Sequence, residues 1–219
     1  MTLVRSEPSA VDALRPQLIE IGRRFDARGW VLGTSGNFSA VVSADPLRLA
    51  ITASAAHKGR LQPADILVCD DSGRVAPDSD PPPAPARRPS AETRLHIEIV
   101  RRLQVGAVLH THSVWTTVLS DADAEAGGLA IEGYEMLKGL SGVASHLHRE
   151  WIPIVENDQD MTRLAGRIGA LLAGQPGLHA FLLRRHGLYT WGATLADAER
   201  HVEILEFLCE AVGRRRSVG

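Results

Sequence analysis

The sequence predicts an α/β protein with a central sheet and helices on its faces. Three observations carry this. Short β-rich runs bounded by turn residues alternate with segments of helical apolar spacing. Two apolar runs that read as strands end in histidine, at His110 and His186. The 219 residues, 44% hydrophobic against 23% charged, supply an ordinary globular core for one domain spanning residues 1–219.

Val11, Leu14, Leu18, Ile21 and Phe25 recur at helical spacing and predict a first helix ending near Gly29. Pro16 either kinks that helix or marks its true first turn. Residues 38–42, 47–52 and 66–69 are short, β-rich and separated by turn residues, so they read as strands. The stretch from Pro77 to Pro89, PDSDPPPAPARRP, reads as an extended, solvated surface loop. It is not read as a domain linker, because the segments on its two sides complete each other's chemistry.

Beyond that loop Ser90 is the expected N-cap of a helix from Ala91 to about Leu103, with Leu95, Ile99 and Leu103 on one face. A strand then runs into His110. Further elements are a strand at 152–155, a helix after Asp158, strands at 181–183 and 188–190, and a closing helix. Thr194 caps that last helix, and Val202, Leu205 and Leu208 make its apolar stripe.

A formal charge of -2, from 24 Lys+Arg against 26 Asp+Glu, gives no electrostatic reason to expect a nucleic-acid partner. The most apolar stretches fall far short of the roughly 20 residues a membrane helix needs. Glu7, Asp12 and Arg15 interrupt any apolar core of a secretory leader, so the expected location is the cytoplasm. Cys69 and Cys209, far apart in sequence, read as inert core thiols.

The strongest local signal is GAVLHTHS, residues 106–113, an apolar strand ending in two histidines one residue apart. In an extended chain residues two apart share a face, so His110 and His112 can present imidazoles to one ion. A catalytic zinc usually takes three protein ligands and keeps a position open. His186, at the end of the run AFLLRRHG, is the expected third ligand. His96 and His201 read as packed or solvated helix residues, His146 and His148 as surface or substrate-adjacent, and His179 as a loop residue. His57 stands apart because it adjoins Lys58.

Two loops have the composition of anion sites. GTSGNFS, residues 33–39, places small residues and hydroxyls just before a strand, where backbone N–H groups can converge. TASAAHKG, residues 52–59, adds the Ser54 hydroxyl and the Lys58 charge, which together suit a phosphate monoester. Small polar residues also make plain turns. The candidates for proton transfer are Glu92 in PSAETRLH and Glu135 in GYEMLKG. Glu92 reads equally as an acid favoured in a helix's first turn, and Glu135 as a solvated helix residue.

The succession SGN, TxSxxxKG, PSAE, HTHS and RRHG is similar to the class II aldolase and adducin-like family, over about residues 33–192. The blocks EMLKG, VENDQD and HGLYTWG resemble its dehydrating members in particular. The resemblance implies a mostly antiparallel central sheet flanked by helices on both faces, and a zinc-dependent enzyme that removes water from a phosphorylated ketose. It implies one zinc ion per subunit on His110, His112 and His186, and phosphate contacts from Ser35, Gly36, Asn37, Ser54 and Lys58. Glu92 falls where the family's aldolases carry an acid or base near the metal, and Glu135 where its dehydratases move substrate protons. Ala55 departs from the glycine usual at its position, which bears on how closely the backbone approaches phosphate. A homotetramer with active sites at subunit boundaries is also implied. The alternatives are an aldolase or epimerase on another sugar phosphate, such as fuculose or ribulose phosphate, and a non-catalytic adducin-like binding module. The last would be expected to have lost zinc ligands, and all three are present.

Overall fold

Alternation of buried apolar residues between two faces organises the chain around one sheet, seen in a computed structural model that describes residues 10–77 and 87–218. The strands are β1 (Asn37–Ala44), β2 (Leu47–Thr52), β3 (Ile66–Cys69), β4 (Ala107–Thr111), β5 (Gly128–Ile131), β6 (Glu150–Val155), β7 (Ala180–Leu183) and β8 (Gly187–Gly192). Their order across the sheet is β3-β2-β1-β4-β8-β7-β6-β5. Every pairing is antiparallel except the parallel pair β6 and β7. A parallel pair needs a crossover, and the helix α4 (Met161–Gly174) supplies it.

One face of the sheet is covered by α1 (Ala10–Ala27), α3 (Val114–Ala122) and α5 (Leu195–Val218); the other by α2 (Thr93–Leu103) and α4. The strand alternation is visible in β4, where Leu109 packs with Phe25 and Val202 while Val108 packs with Leu95 and Ile168. The closing helix buries Leu195, Val202, Leu205 and Leu208 along its length, and the Thr194 hydroxyl accepts from Asp197 N at 3.1 Å to cap it.

The first helix contains Pro16 rather than starting there, since it begins at Ala10. It ends where expected: Gly29, at φ +74°, lets Trp30 N reach back to Phe25 O at 3.0 Å and Gly29 N to Asp26 O at 2.9 Å. The second helix begins at Thr93, two residues later than its sequence suggests. The reason is local: the Ser90 hydroxyl is drawn into a contact with Asn37, and Ala91–Glu92 form a turn closed by Thr93 N to Ser90 O at 3.1 Å. α3 and β5 have no counterpart among the expected elements. The first is a nine-residue helix rich in β-branched residues, nucleated by the Ser113 hydroxyl accepting from Thr116 N; the second is a four-residue edge strand. Most of the proline loop, residues 78–86, lies outside the described residues.

Candidate active site

The register of the sheet assembles the site. Asn37 on β1 pairs with His110 on β4, and His110 pairs with Tyr189 on β8, so three strands meet at one level where β4 ends. β7 and β8 form a hairpin whose turn carries Arg185 at φ +54° and His186, which donates its N–H to Leu183 O at 3.1 Å. That turn delivers the His186 ring to the end of β4. Gly187 permits the approach, because a Cβ there would collide with the Thr111 carbonyl oxygen.

His110 and His112 project to the same side, while Thr111 between them points to the opposite face and bonds Glu206 of α5 at 2.5 Å. The Nε2 atoms of the three histidines converge: 2.7 Å for His112–His110, 3.1 Å for His186–His112 and 3.3 Å for His110–His186. His110 donates its Nδ1 proton to Leu188 O at 2.9 Å, which leaves a lone pair on Nε2. Burial, reinforced by the neighbouring imidazoles, holds His110 well below the usual histidine range and His112 down at about 3; burial also lowers His186. Three neutral rings aiming lone pairs at one point suit a divalent metal, and hydrogen bonding among them does not satisfy all three. The donor set and the crowding both fit the ion that the sequence implies.

Glu92, 15% exposed, stands over this triad, with Oε2 3.6 Å from His110 Nε2 and Oε1 3.5 Å from His186 Nε2. A chain of buried groups fixes it. Asn37 Nδ2 donates to Glu92 Oε2 at 2.5 Å and to Ser90 Oγ at 3.1 Å, so Asn37 Oδ1 must accept, and it does so from His96 Nε2. The other ring nitrogen of His96 accepts from Ser39 Oγ at 2.7 Å. His96 is fully buried, and burial takes it down to about 3, so it is a neutral ring of fixed tautomer. By sequence alone His96 reads as a packed or solvated helix residue; its spacing of four from Glu92, which immediately precedes α2, is the available signal. Asn37 lines the cavity, and its side-chain amide bonds Glu92 and His96.

A cavity of about 410 Å³ opens beside the triad. Its walls include Ser35, Gly36, Asn37, Ser54, Lys58 and Glu92, with His112 and His186 at one side. The two anion-type loops thus meet in space. Lys58 joins them, donating from Nζ to Thr34 O at 3.0 Å and Ala56 O at 2.7 Å, which leaves its third donor for a ligand. Burial lowers its pKa to about 8, against the opposing pull of Glu92 and Asp65. The Ser35 hydroxyl is buried without a partner. Gly36, at φ +71°, allows the loop to lie on the end of β4, where a Cβ would stand 2.6 Å from His110 O. Ala55 occupies a left-handed conformation at φ +57°, which accounts for the glycine expected there. The cavity is completed by Asn157, Gln159 and Met161, from the segment between β6 and α4, which the sequence reading did not single out as site residues.

Glu135 lies elsewhere in the chain. It opens a short 3-10 turn, Glu135–Gly139, whose Leu137 packs under α5, and its own side chain is 69% exposed. It pairs with Lys138, which lowers its pKa, and stands 3.7 Å from His146. It does not line the cavity of its own chain.

Residues 16–212 match the Class II Aldolase and Adducin N-terminal domain. The chain is 46% identical to methylthioribulose-1-phosphate dehydratase of Methylococcus capsulatus, over 92% of this chain and 94% of that protein. It is 45% identical to the enzyme of the same name from Acidiphilium cryptum, over 98% and 99% respectively. Among solved structures, YgbL of Escherichia coli, a putative aldolase/epimerase/decarboxylase, superposes with a TM-score of 0.74 at 24% identity, over 92% of this chain and 89% of that one. An L-fuculose 1-phosphate aldolase superposes with 0.73 at 21% identity, over 94% and 88%. With the histidine triad, the small-residue loops and the mostly antiparallel sheet all in place, the chain belongs to the class II aldolase and adducin family.

Proposed function

We propose that this enzyme dehydrates 5-methylthioribulose 1-phosphate to 5-methylthio-2,3-dioxopentyl 1-phosphate, a hydro-lyase step of methionine salvage in the cytoplasm. One observation carries the reading: a single cavity lies beside a cluster of three histidines, a carboxylate held over it and a lysine-anchored pair of small-residue loops, in a chain whose relatives bear that enzyme's name. Zinc on His110, His112 and His186 would supply Lewis acidity toward the ketose carbonyl.

The protein's own groups do the rest. Lys58, Ser35, Gly36 and Ser54 hold the phosphate, with Asn37 behind them, and this binding orients carbons remote from it. Glu92, beside the proposed metal site, takes up the C3 proton. Departure of the C4 hydroxyl as water then requires a proton, and Glu135 shuttles it. The resulting enol tautomerises to the diketone. For Glu135 to act, it must reach the cavity of another copy of the chain. A homotetramer with sites at subunit boundaries meets that need. The exposed apolar side chains of Leu147 beyond the Glu135 turn, and of Leu32 and Val114 near the cavity, support such an assembly.

The test is to incubate metal-replete protein with the substrate and identify products by mass spectrometry, with a chelator-stripped sample alongside. Loss of one water, abolished by stripping and restored by zinc, is expected. Cleavage to dihydroxyacetone phosphate and a methylthio aldehyde would make the enzyme an aldolase. A Glu135→Gln variant that retains zinc and near-normal turnover would remove Glu135 from the mechanism.

A further inference from the structure

A second cluster of ligand-type side chains lies away from the cavity, where β6 and β7 begin. Because these strands are parallel neighbours, with Ile154 opposite Leu182, the start of β6 lies beside the residues just ahead of β7. Glu150 opens β6, His179 directly precedes β7, and His148 lies two residues ahead of Glu150. Glu150 is 3% exposed, and its carboxylate faces two ring nitrogens at close range: His148 Nε2 at 2.8 Å and His179 Nδ1 at 3.0 and 3.1 Å. The three ligand atoms all lie within 4.8 Å of one another.

The surroundings fix which atoms point inward. His179 donates from Nε2 to Ser141 O at 2.8 Å, so Nδ1 is the nitrogen turned to the carboxylate. Ser141 is itself held: its N–H donates to His201 Nε2 at 3.1 Å, and His201 donates from Nδ1 to Trp191 O at 2.7 Å. A histidine whose far N–H is given to a backbone carbonyl is the usual support of a metal ligand. Two imidazoles and a carboxylate form a common three-donor set for zinc. Metal–ligand bonds of about 2.0–2.1 Å place neighbouring donors roughly 3 Å apart, the spacing found around Glu150. The His148 ring, at 36% exposure, leaves one side of the centre to solvent for a water.

We propose that His148 Nε2, Glu150 and His179 Nδ1 form a second divalent-metal site of zinc type, a structural one that pins the start of β6 and β7 to the segment carrying Ser141. In the metal-free protein the same atoms satisfy one another through hydrogen bonds in which His179 carries a proton on each nitrogen. The ion takes the place of both protons that face the carboxylate: the one on His179 Nδ1 leaves to solvent, and the one that His148 donates from Nε2 in the metal-free protein is exchanged through solvent for one on Nδ1, which frees the Nε2 lone pair. The assignment does not depend on the activity proposed for the cavity.

Zinc per chain is measured on the full-length protein by elemental mass spectrometry, after loading and exhaustive dialysis. Wild type is expected to hold two, His112→Ala one, His148→Ala one and the double variant none. His148 is a partly exposed ring at the rim, and circular dichroism verifies that its variant folds. In the His112→Ala background, zinc should raise the melting temperature, and adding His148→Ala should abolish that rise. One zinc in wild type, lost in His112→Ala and kept in His148→Ala, overturns the proposal. One zinc with the reverse dependence supports this site and contradicts the metal triad of the cavity instead.

Discussion

Asn37 and Glu92 come from segments separated by the proline loop, yet Asn37 Nδ2 lies 2.5 Å from Glu92 Oε2, and the buried His96 ring holds the other end of the amide. The carboxylate over the triad is therefore set by a chain of groups, Ser39–His96–Asn37–Glu92, none of which needs to touch substrate except the last. Replacing Asn37 by Leu leaves Glu92 free to turn and His96 without an acceptor. We expect a drop in kcat of about 10- to 100-fold, the scale on which misplacement of a reacting group acts. Bound metal should be unchanged, since the amide touches no imidazole of the triad. An undiminished kcat with normal metal content would show that Glu92 needs no such support.

In its proposed role Lys58 makes phosphate affinity depend on pH. Burial brings its pKa to about 8, so above that value the free enzyme loses the cation that would meet the phosphate. kcat/KM should therefore fall as pH rises through about 8. Lys58→Arg, whose charge persists, should move that fall to higher pH. Lys58→Met should raise KM about 10- to 100-fold at neutral pH, the worth of one charge-assisted hydrogen bond. A pH profile of kcat/KM for the three proteins decides it.

Glu206 contributes to stability with the opposite sign from an ordinary surface acid. It is fully buried behind Thr111, and burial pushes its pKa from 4.5 to about 7 despite hydrogen bonds from Ser113 and Thr111. A folded pKa above the unfolded one means that the folded state binds the extra proton between about 4.5 and 7. Its stabilisation is thus complete below about 4.5 and is lost as pH rises through about 7, an effect of up to about 3 kcal/mol. Glu206→Gln keeps an acceptor for Thr111 and removes the titration. Denaturant unfolding of the metal-free proteins at pH 5 and pH 8 should show the variant gaining on wild type at the higher pH.

Ala55 stands in the left-handed region at φ +57°, where an L side chain costs about 1–2 kcal/mol relative to glycine. Ala55→Gly relieves that strain but adds freedom to the unfolded chain. The expected net gain is under about 1 kcal/mol, read as a rise in the melting temperature. The same change should leave the proposed phosphate site intact or tighten it, measured as KM, because the backbone of this loop lines the cavity.

Much of the site was legible in order along the chain. His110, His112 and His186 could be named because each ends or follows an apolar strand, and a two-residue period puts the first pair on one face whatever the sheet does elsewhere. Lys58 and the serine-rich loops were legible for a similar reason: their chemistry is local. His96 was not, because a histidine on an apolar helix face looks the same whether it packs passively or holds an asparagine. Neither was the departure of Glu135 from the cavity of its own chain, which depends on which face of the sheet its turn packs against.

What the sequence determined by itself is therefore the set of strands and helices whose periodicity is strong, the candidate metal ligands and the small-residue loops. Only the tertiary structure decided the strand order that sets Asn37, His110 and Tyr189 at one level, the use of Asn37 to hold Glu92, and the meeting of His148, Glu150 and His179. The physical reason is range. Backbone preference and side-chain period act over a few residues, whereas these contacts join segments whose proximity is fixed by pairing register and by which face buries its apolar side chains.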